Sequence, residues 1–507
     1  LPDDTPWGPE KWSVDYRDKN RINCYDTGTS PCKTACPAHV SVQGYLKLAA
    51  QGKYREALKL IKRDNPFPAV CGRICNRRCE DACTRGTLDQ AVAIDEVKRF
   101  IAEQDLNDEN RYIPEPVIPK VGGRFEEKIA IIGAGPAGMS CAFFLAEKGY
   151  KPTVFEKELR PGGMLMNGIP SFRLEKDVVE AEIDVLRKMG VEFKTGIEVG
   201  KDITIPELRE QGYKGFYVAV GLQSGGKINI EGENSEGVMA GIEFLRKVNL
   251  SGEKNLSGKI VVIGGGNIAC DVARTAVRCN AESVHMYCLE SYDEMPCGEE
   301  DRTECEKDGI TIHAGWGPFL IQSKNGKVTG ITFKKCLSVR NPEGLFAPVY
   351  DETVTETAEC DMVLYCIGQK ADLGDLLSGT DVEFNPNGTI KADPVTYQTS
   401  EPDIFVGGDI YTGQKFVIDA IAAGKEGAVS LHRFVQPNTS LTIGRNRRKF
   451  IELDKQNIQI DMDNFDQTPR QPVGYNEALA RTFKDDRIPF TKEQVKKETA
   501  RCLECGA

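Results

Sequence analysis

The period of the apolar positions changes along the chain. From Val42 to Ile61 they recur at helical spacing, Val42, Leu46, Ala49 and Ala50, then Tyr54, Leu58 and Ile61, which predicts a helical hairpin. The helical pattern runs from Cys24 to about Arg111, with cysteines on both sides of the hairpin. Residues 114–123 hold three Pro and two Gly and read as a linker. Beyond it two apolar runs each end in a glycine cluster and continue into a helix, over Lys128–Lys148 and Lys259–Arg278. A third strand-loop-helix stretch, Cys360–His432, has no nucleotide loop of its own and is expected to return and complete the first domain. From Pro437 the chain is polar until a short helix predicted over Thr491–Thr499. So long a connection without structure is unusual in a compact domain, so this segment is expected to reach another part of the protein.

Composition narrows the classes. The 507 residues leave room for three or four domains. Lys plus Arg number 65 against 76 Asp plus Glu, a net charge of −11, so there is no global positive field for nucleic acid or an anionic membrane. The longest charge-free run, Ile129–Ala146, contains Gly133, Gly135, Pro136 and Gly138 and reads as strand, loop and helix, not a membrane span. Leu1–Trp12 has neither a basic nor an apolar signal region, and the 18 Cys come in short-spaced sets, so a reducing, cytoplasmic setting is expected. Only four His occur, at 39, 285, 313 and 432, none in a sequence cluster. No nucleophile and general-base set is visible, which suits chemistry carried by a cofactor.

The first glycine cluster, Gly133-Ala-Gly135-Pro136-Ala137-Gly138, is a G-x-G-x-x-G turn after a buried strand, and Glu156 ends the next strand 23 residues beyond Gly133. Gly133 makes the turn, Gly135 admits a pyrophosphate to the helix N-terminus, Gly138 lets helix and strand pack closely, and Glu156 can bind ribose hydroxyls. Gly264-Gly-Gly266-Asn267-Ile268-Ala269 repeats the pattern with Ala in the third place, and Glu290 follows its second strand. A carboxylate at Glu290 accepts from an adenosine ribose and repels a 2′-phosphate; the alternative is a solvated loop charge. The expected fold is α/β, with two Rossmann-like nucleotide-binding domains preceded by a helical domain. The expected boundaries are a tail at 1–23, the helical domain at 24–112, a linker at 113–127, the first nucleotide domain in two parts at 128–245 and 361–436, the second at 246–360, and a C-terminal segment at 437–507.

Cys24, Cys32 and Cys36-Pro37, then Cys71, Cys75, Cys79 and Cys83, fit cubane iron-sulfur clusters better than zinc, since cytosolic four-cysteine zinc modules carry paired C-x2-C knuckles and these spacings are x3. A C-x2-C, Cys502 and Cys505, stands at the C-terminal end of the sequence. Cys270, Cys279, Cys288 and Cys297 recur every nine residues, which matches neither helix nor strand and is read as coincidence. Cys141, Cys305, Cys336, Cys360 and Cys366 read as buried apolar side chains.

Together these residues resemble the glutamate synthase small-subunit family, which also covers the N-terminal half of dihydropyrimidine dehydrogenase and the large subunit of ferredoxin:NADP transhydrogenases. The resemblance spans about Cys32–His432. It implies that the first glycine loop binds FAD, the second a nicotinamide nucleotide, and the helical domain two 4Fe-4S clusters. It makes Arg160–Leu174, with Gly163, Met164 and Arg173, the flavin-facing loop, and adds Gly221, Gly408 and Asp409 to the FAD site and Gly368 to the nucleotide site.

Two departures matter. Where the family commonly has Arg-Arg for the NADPH 2′-phosphate, this chain has Leu289-Glu290, which favours NADH. Where the family opens its cluster domain with a C-x2-C, Thr27 stands in a cysteine slot. Either Cys502 and Cys505 wrap back to join Cys32 and Cys83, or Cys24 fills the gap and Cys502 and Cys505 begin a further ferredoxin domain. Cys36, Cys75 and Cys79 would hold the second cluster. Its fourth ligand in relatives is a Glu or Gln, but Lys98 stands there and leaves Cys71 as the candidate. The expected activity is hydride transfer from NADH to FAD, with single electrons passing through the clusters to a protein subunit or ferredoxin in a hetero-oligomer. The alternatives are the reverse reaction, with or without bifurcation at the flavin, and an electron-conducting scaffold with a vestigial nicotinamide site.

Overall fold

The computed structural model describes residues 30–116, 125–252, 254–445 and 465–505. Cys24, Thr27 and the 1–23 tail lie outside the described residues, as does most of the linker.

The helical hairpin forms as its spacing predicts, with helices Val42–Ala50 and Tyr54–Lys62. Val42, Leu46, Ala49, Leu58 and Ile61 are buried, whereas Ala50 is exposed and Tyr54 half-buried at the turn. Two further helices, Pro68–Ile74 and Ile94–Leu106, cross so closely at Gly72 that a Cβ there would lie 2.7 Å from the Arg99 Cα. Only glycine permits that approach.

Two parallel sheets follow. The first has the order Ile404–Val406, Tyr213–Val218, Lys128–Ile132, Thr153–Glu156, Glu192–Thr195, so the chain does return after the second domain to complete it. Helix Val417–Val435 then packs on helix Pro136–Glu147, again through glycine: a Cβ on Gly424 would meet the Ala137 carbonyl at 2.3 Å. The second sheet has the order Val238–Ala240, Met362–Tyr365, Lys259–Ile263, Ser283–Cys288, Thr311–Ala314. Two of its strands, Val238–Ala240 and Met362–Tyr365, therefore lie past the expected 246–360 limits, one at each end, because the strand that leaves the first domain and the strand that returns to it both pair here.

An antiparallel sheet unforeseen from the sequence, Trp316–Lys324, Lys327–Arg340 and Phe346–Glu359, covers one face of this second sheet. Tyr287 joins the two layers by stacking on Phe333, with ring centroids 3.9 Å apart.

The C-terminal segment runs over the helical domain. Helix Lys492–Ala500 begins at a capping box of Thr491 and Gln494 and buries Val495. Ion pairs tie the segment down: Arg470 to Glu80 at 2.7 Å, Asp485 to Arg99 at 2.9 Å, and Arg487 to Glu96. Among the described residues no helix is long and apolar enough to cross a membrane.

Candidate cofactor cavity and thiol groups

The first glycine loop is built as its spacing requires. Gly133 has φ 102°, and a Cβ there would lie 2.5 Å from the Ala219 carbonyl; on Gly138 it would lie 2.0 Å from the Gly133 carbonyl. At Gly135, by contrast, the nearest atom to an added Cβ is 4.0 Å away, so the space before the helix N-terminus is open. Pro136 opens the helix with no N–H to leave unpaired. The Glu156 carboxylate accepts from the Ala134 N–H at 2.7 Å and the Glu158 N–H at 2.9 Å, and its burial raises its pKa. The Gly162 N–H donates to the Ala134 carbonyl at 2.8 Å, which lays the 160–174 loop against the glycine turn.

This loop opens into a cavity of about 640 Å³. Gly133, Gly135, Pro136, Ala137, Glu156, Gly163, Met164, Arg173, Gly221, Gly408 and Asp409 all line it. Gly138 lies beneath it, as its packing role demands. Burial pushes the Asp409 carboxyl up to about 6, against one hydrogen bond from the Lys415 N–H at 3.2 Å. An open pyrophosphate path, a buried ribose-level acid and a long cavity together fit FAD.

The second loop contributes Asn267 and Ile268 to the same cavity, whereas Gly264, Gly266, Ala269, Glu290 and Gly368 are not on its wall. Gly264 has φ 136°, Gly368 φ 61°, and a Cβ on Gly266 would meet nothing within 4 Å. This too leaves room for phosphate at a helix N-terminus. Glu290 is turned to the loop: its Oε2 lies 3.3 Å from where a Gly265 Cβ would stand.

Folding also gives groups in and around the cavity contacts that the sequence did not show. Arg173 spans the two nucleotide domains, 2.7 Å from Asp271 and 3.2 Å from Asp301, so its charge is committed to the second domain as well as to the flavin loop. Lys176 donates to the Leu165 carbonyl at 2.8 Å and to the Ile169 carbonyl, and burial brings its ammonium down to about 7. Cys297 is also on the wall, within hydrogen-bonding reach of Cys270, which also reaches Cys305. The nine-residue recurrence is coincidence in sequence, but folding does gather three thiols here. Folding likewise pairs two histidines that the sequence left apart, His285 Nδ1 and His313 Nε2 at 3.1 Å.

The cluster-domain thiols fall into two groups. Cys32, Cys83 and Cys502 feel one another's charge, and burial above all pushes Cys32 up to about 11 and Cys502 up to about 12. Cys505 is on the same short strand of chain, held by Gln43 on its carbonyl and by the neighbouring Lys47–Glu504 pair at 2.7 Å. The second group is Cys36, Cys71, Cys75 and Cys79, with Cys71, Cys75 and Cys79 raised chiefly by burial and partly offset by the charge of Lys98. Cys32 lies within helix Pro31–Ala35, whereas Cys36 is its extended C-cap, and the two thiols fall one in each group.

Among the described residues no three His, Cys, Asp or Glu side chains converge tightly enough to hold a single metal ion. Four sulfurs on one zinc stand only ~3.8 Å apart, whereas a four-iron cluster takes one thiolate at each separate corner. Ile74, Cys75, Asn76 and Arg77 line the same cavity, so the second thiol group adjoins it. None of Cys32, Cys83, Cys502 and Cys505 is on the cavity wall.

Fold and site thus define a flavoprotein with two dinucleotide domains and an iron-sulfur domain. Residues 127–425 match the pyridine nucleotide-disulphide oxidoreductase family, and the chain belongs to it. Residues 16–110 match dihydropyrimidine dehydrogenase domain II, 4Fe-4S cluster. The chain is 34% identical over 504 residues to the NADP(+)-dependent formate dehydrogenase subunit beta of Moorella thermoacetica, covering 94% of this chain and 70% of that one. It is 33% identical over 418 residues to the NAD-dependent dihydropyrimidine dehydrogenase subunit PreT of Escherichia coli, covering 82% and 92%. It is 32% identical over 437 residues to the glutamate synthase [NADPH] small chain of E. coli, covering 82% and 90%. Among solved structures, Mycobacterium tuberculosis FprA in complex with NADPH shares the fold with a TM-score of 0.52 and 18% identity, over 61% of this chain and 84% of that one. The chain is an FAD-dependent iron-sulfur oxidoreductase subunit that passes electrons.

Proposed function

We propose that this subunit oxidises NADH and delivers single electrons through two 4Fe-4S clusters to a partner subunit or ferredoxin within a hetero-oligomer. The observation that carries this reading is the shared cavity: the flavin loop, the N-terminus of the second-domain helix and the Cys75 segment all face one space. FAD supplies the conversion between a two-electron hydride and one-electron clusters. For the protein's own part, Gly135 and the helix behind it receive the pyrophosphate, Glu156 the ribose, and Asp409 the ribityl chain. Arg173 and Lys176 hold the loop that the flavin lies against.

The proposed ligand sets are Cys32, Cys83, Cys502 and Cys505, and Cys36, Cys71, Cys75 and Cys79. In the second domain Gly264, Gly266, Asn267, Ile268, Ala269, Glu290 and Gly368 form the proposed NADH site. The carboxylate of Glu290, directed at the loop without a paired arginine, supports NADH over NADPH. The relatives divide on this point, PreT being named NAD-dependent and the other two for NADP(+) or NADPH. That relatives are named as subunits or chains of larger enzymes supports a hetero-oligomer.

The experiment is anaerobic purification followed by cofactor analysis and stopped-flow reduction. One FAD and about eight iron per chain are expected, with flavin bleached by NADH ~10–200-fold more efficiently than by NADPH. Stoichiometric zinc with little iron would refute the clusters, and flavin left oxidised by both nucleotides would refute the nicotinamide site in favour of an electron-conducting scaffold.

A further inference from the structure

A buried ion pair lies against the flavin-side thiols. Lys98 and Asp95, one turn apart on helix Ile94–Leu106, are 6% and 1% exposed and paired through Nζ and Oδ1. The close crossing at Gly72 and Arg99 presses this turn onto the helix that carries Cys71. After burial itself, the charge that Cys71, Cys75 and Cys79 each feel most is the attraction of Lys98, ahead of the repulsion of Asp95. The crossing sets Gly72, next to Cys71, against Arg99, next to Lys98, so the ammonium acts on these thiols more than the carboxylate does. Three other groups face the pair: Tyr45, also buried, lies near Lys98, the Arg77 Nε is 3.9 Å from Asp95, and the buried Glu80 carboxylate, itself paired with Arg470, accepts from the Asp95 N–H at 2.9 Å.

A buried ion pair seldom stabilises a fold more than a well-packed apolar pair would, so stability alone does not account for this one. A four-iron cluster on four thiolates gains one unit of negative charge on reduction. In a low-dielectric surrounding, a fixed cation nearby favours that reduced state and a fixed anion opposes it. We propose that Lys98, oriented by Asp95, is a positioning residue for electron transfer that raises the reduction potential of the cluster on Cys36, Cys71, Cys75 and Cys79, so that this cluster readily takes electrons from the flavin. This rests on the two-cluster reading above.

The test is an EPR-monitored redox titration of the purified holoprotein with Lys98→Met, Asp95→Asn and the double variant, which leaves no unpaired buried charge. Lys98→Met is expected to shift one cluster's one-electron equilibrium at least tenfold toward the oxidised form, ~60 mV more negative at 59 mV per decade. Asp95→Asn is expected to shift the same cluster in the opposite direction. The double variant should move as Lys98→Met does, but less. The second cluster should not move in any of them. Both single variants shifting the same way, or no variant shifting a cluster while about eight iron are retained, would overturn the proposal. If Lys98→Met loses iron, the Asp95→Asn and double-variant shifts decide. Iron missing from the unaltered protein would instead refute the cluster reading itself.

Discussion

Besides its ion pairs, the C-terminal segment docks through one fully buried arginine, whose removal is a quantitative test of the wrap-around cluster. The Arg501 guanidinium is fully buried and donates to the Thr468 carbonyl at 2.9 Å, the Gln90 carbonyl at 2.6 Å, the Ala91 carbonyl at 3.3 Å, Asp89 at 3.0 Å and Glu498 at 2.6 Å. Breaking one side of a buried pair costs about 3–5 kcal/mol. Here the low end applies to Arg501→Leu, because Glu498 keeps the Ala93 N–H at 2.8 Å and the Gln471 N–H at 2.7 Å, and Asp89 keeps Arg85 at 2.7 Å. A cost of ~3 kcal/mol raises the undocked population roughly a hundredfold. Limited proteolysis around Lys492–Lys497 should accelerate correspondingly, and one cluster should be lost or fall to a three-iron form while FAD is retained. Truncation after Ala500, which removes Cys502 and Cys505 outright, should give the same spectroscopic end point. Full iron and two intact cluster signals in the truncated protein would refute the wrap-around ligand set and return the ligand to Cys24.

Three further outcomes follow from the cavity and the second nucleotide loop. Gly135→Val should abolish FAD binding while leaving the far-UV circular dichroism unchanged, because an added Cβ meets no protein atom closer than 4.0 Å and obstructs only the phosphate path. Leu289→Arg with Glu290→Arg should move the preference toward NADPH by about 1.5–3 kcal/mol, read from the ratio of kcat/KM values; no change would place Glu290 away from the ribose. In flavin-free protein, Asp409 titrates near 6 instead of ~3.9, so the protonated form is favoured on folding. Its stabilising contribution is full below about pH 4 and lost as pH rises through about 6. Asp409→Asn should therefore gain denaturation midpoint relative to the unaltered protein across that window, by up to ~3 kcal/mol; a gap that stays constant with pH would contradict the buried carboxyl.

The sequence by itself determined what a few consecutive residues can settle. The two glycine loops were legible because each glycine answers a local demand, a positive φ at Gly133 and Gly264 or a close approach at Gly138, and these demands survive in any context. The helical hairpin and the Thr491 cap were legible for the same reason, since periodicity and capping act within one or two turns. The C-terminal cysteines announced a partner without showing it. Tertiary structure decided what depends on distant chain. It laid residues 465–505 over the helical domain and sorted Cys32, inside a short helix, and Cys36, at that helix's C-cap, into different groups. It turned Arg173 from a flavin-loop residue into a bridge between domains, and it brought His285 to His313 and Cys270 to Cys297. It also set Lys98 among thiols: an ammonium at a ligand's place in the motif says only what cannot bind there, and its effect on a neighbour depends on distance and burial, which no spacing along the chain encodes.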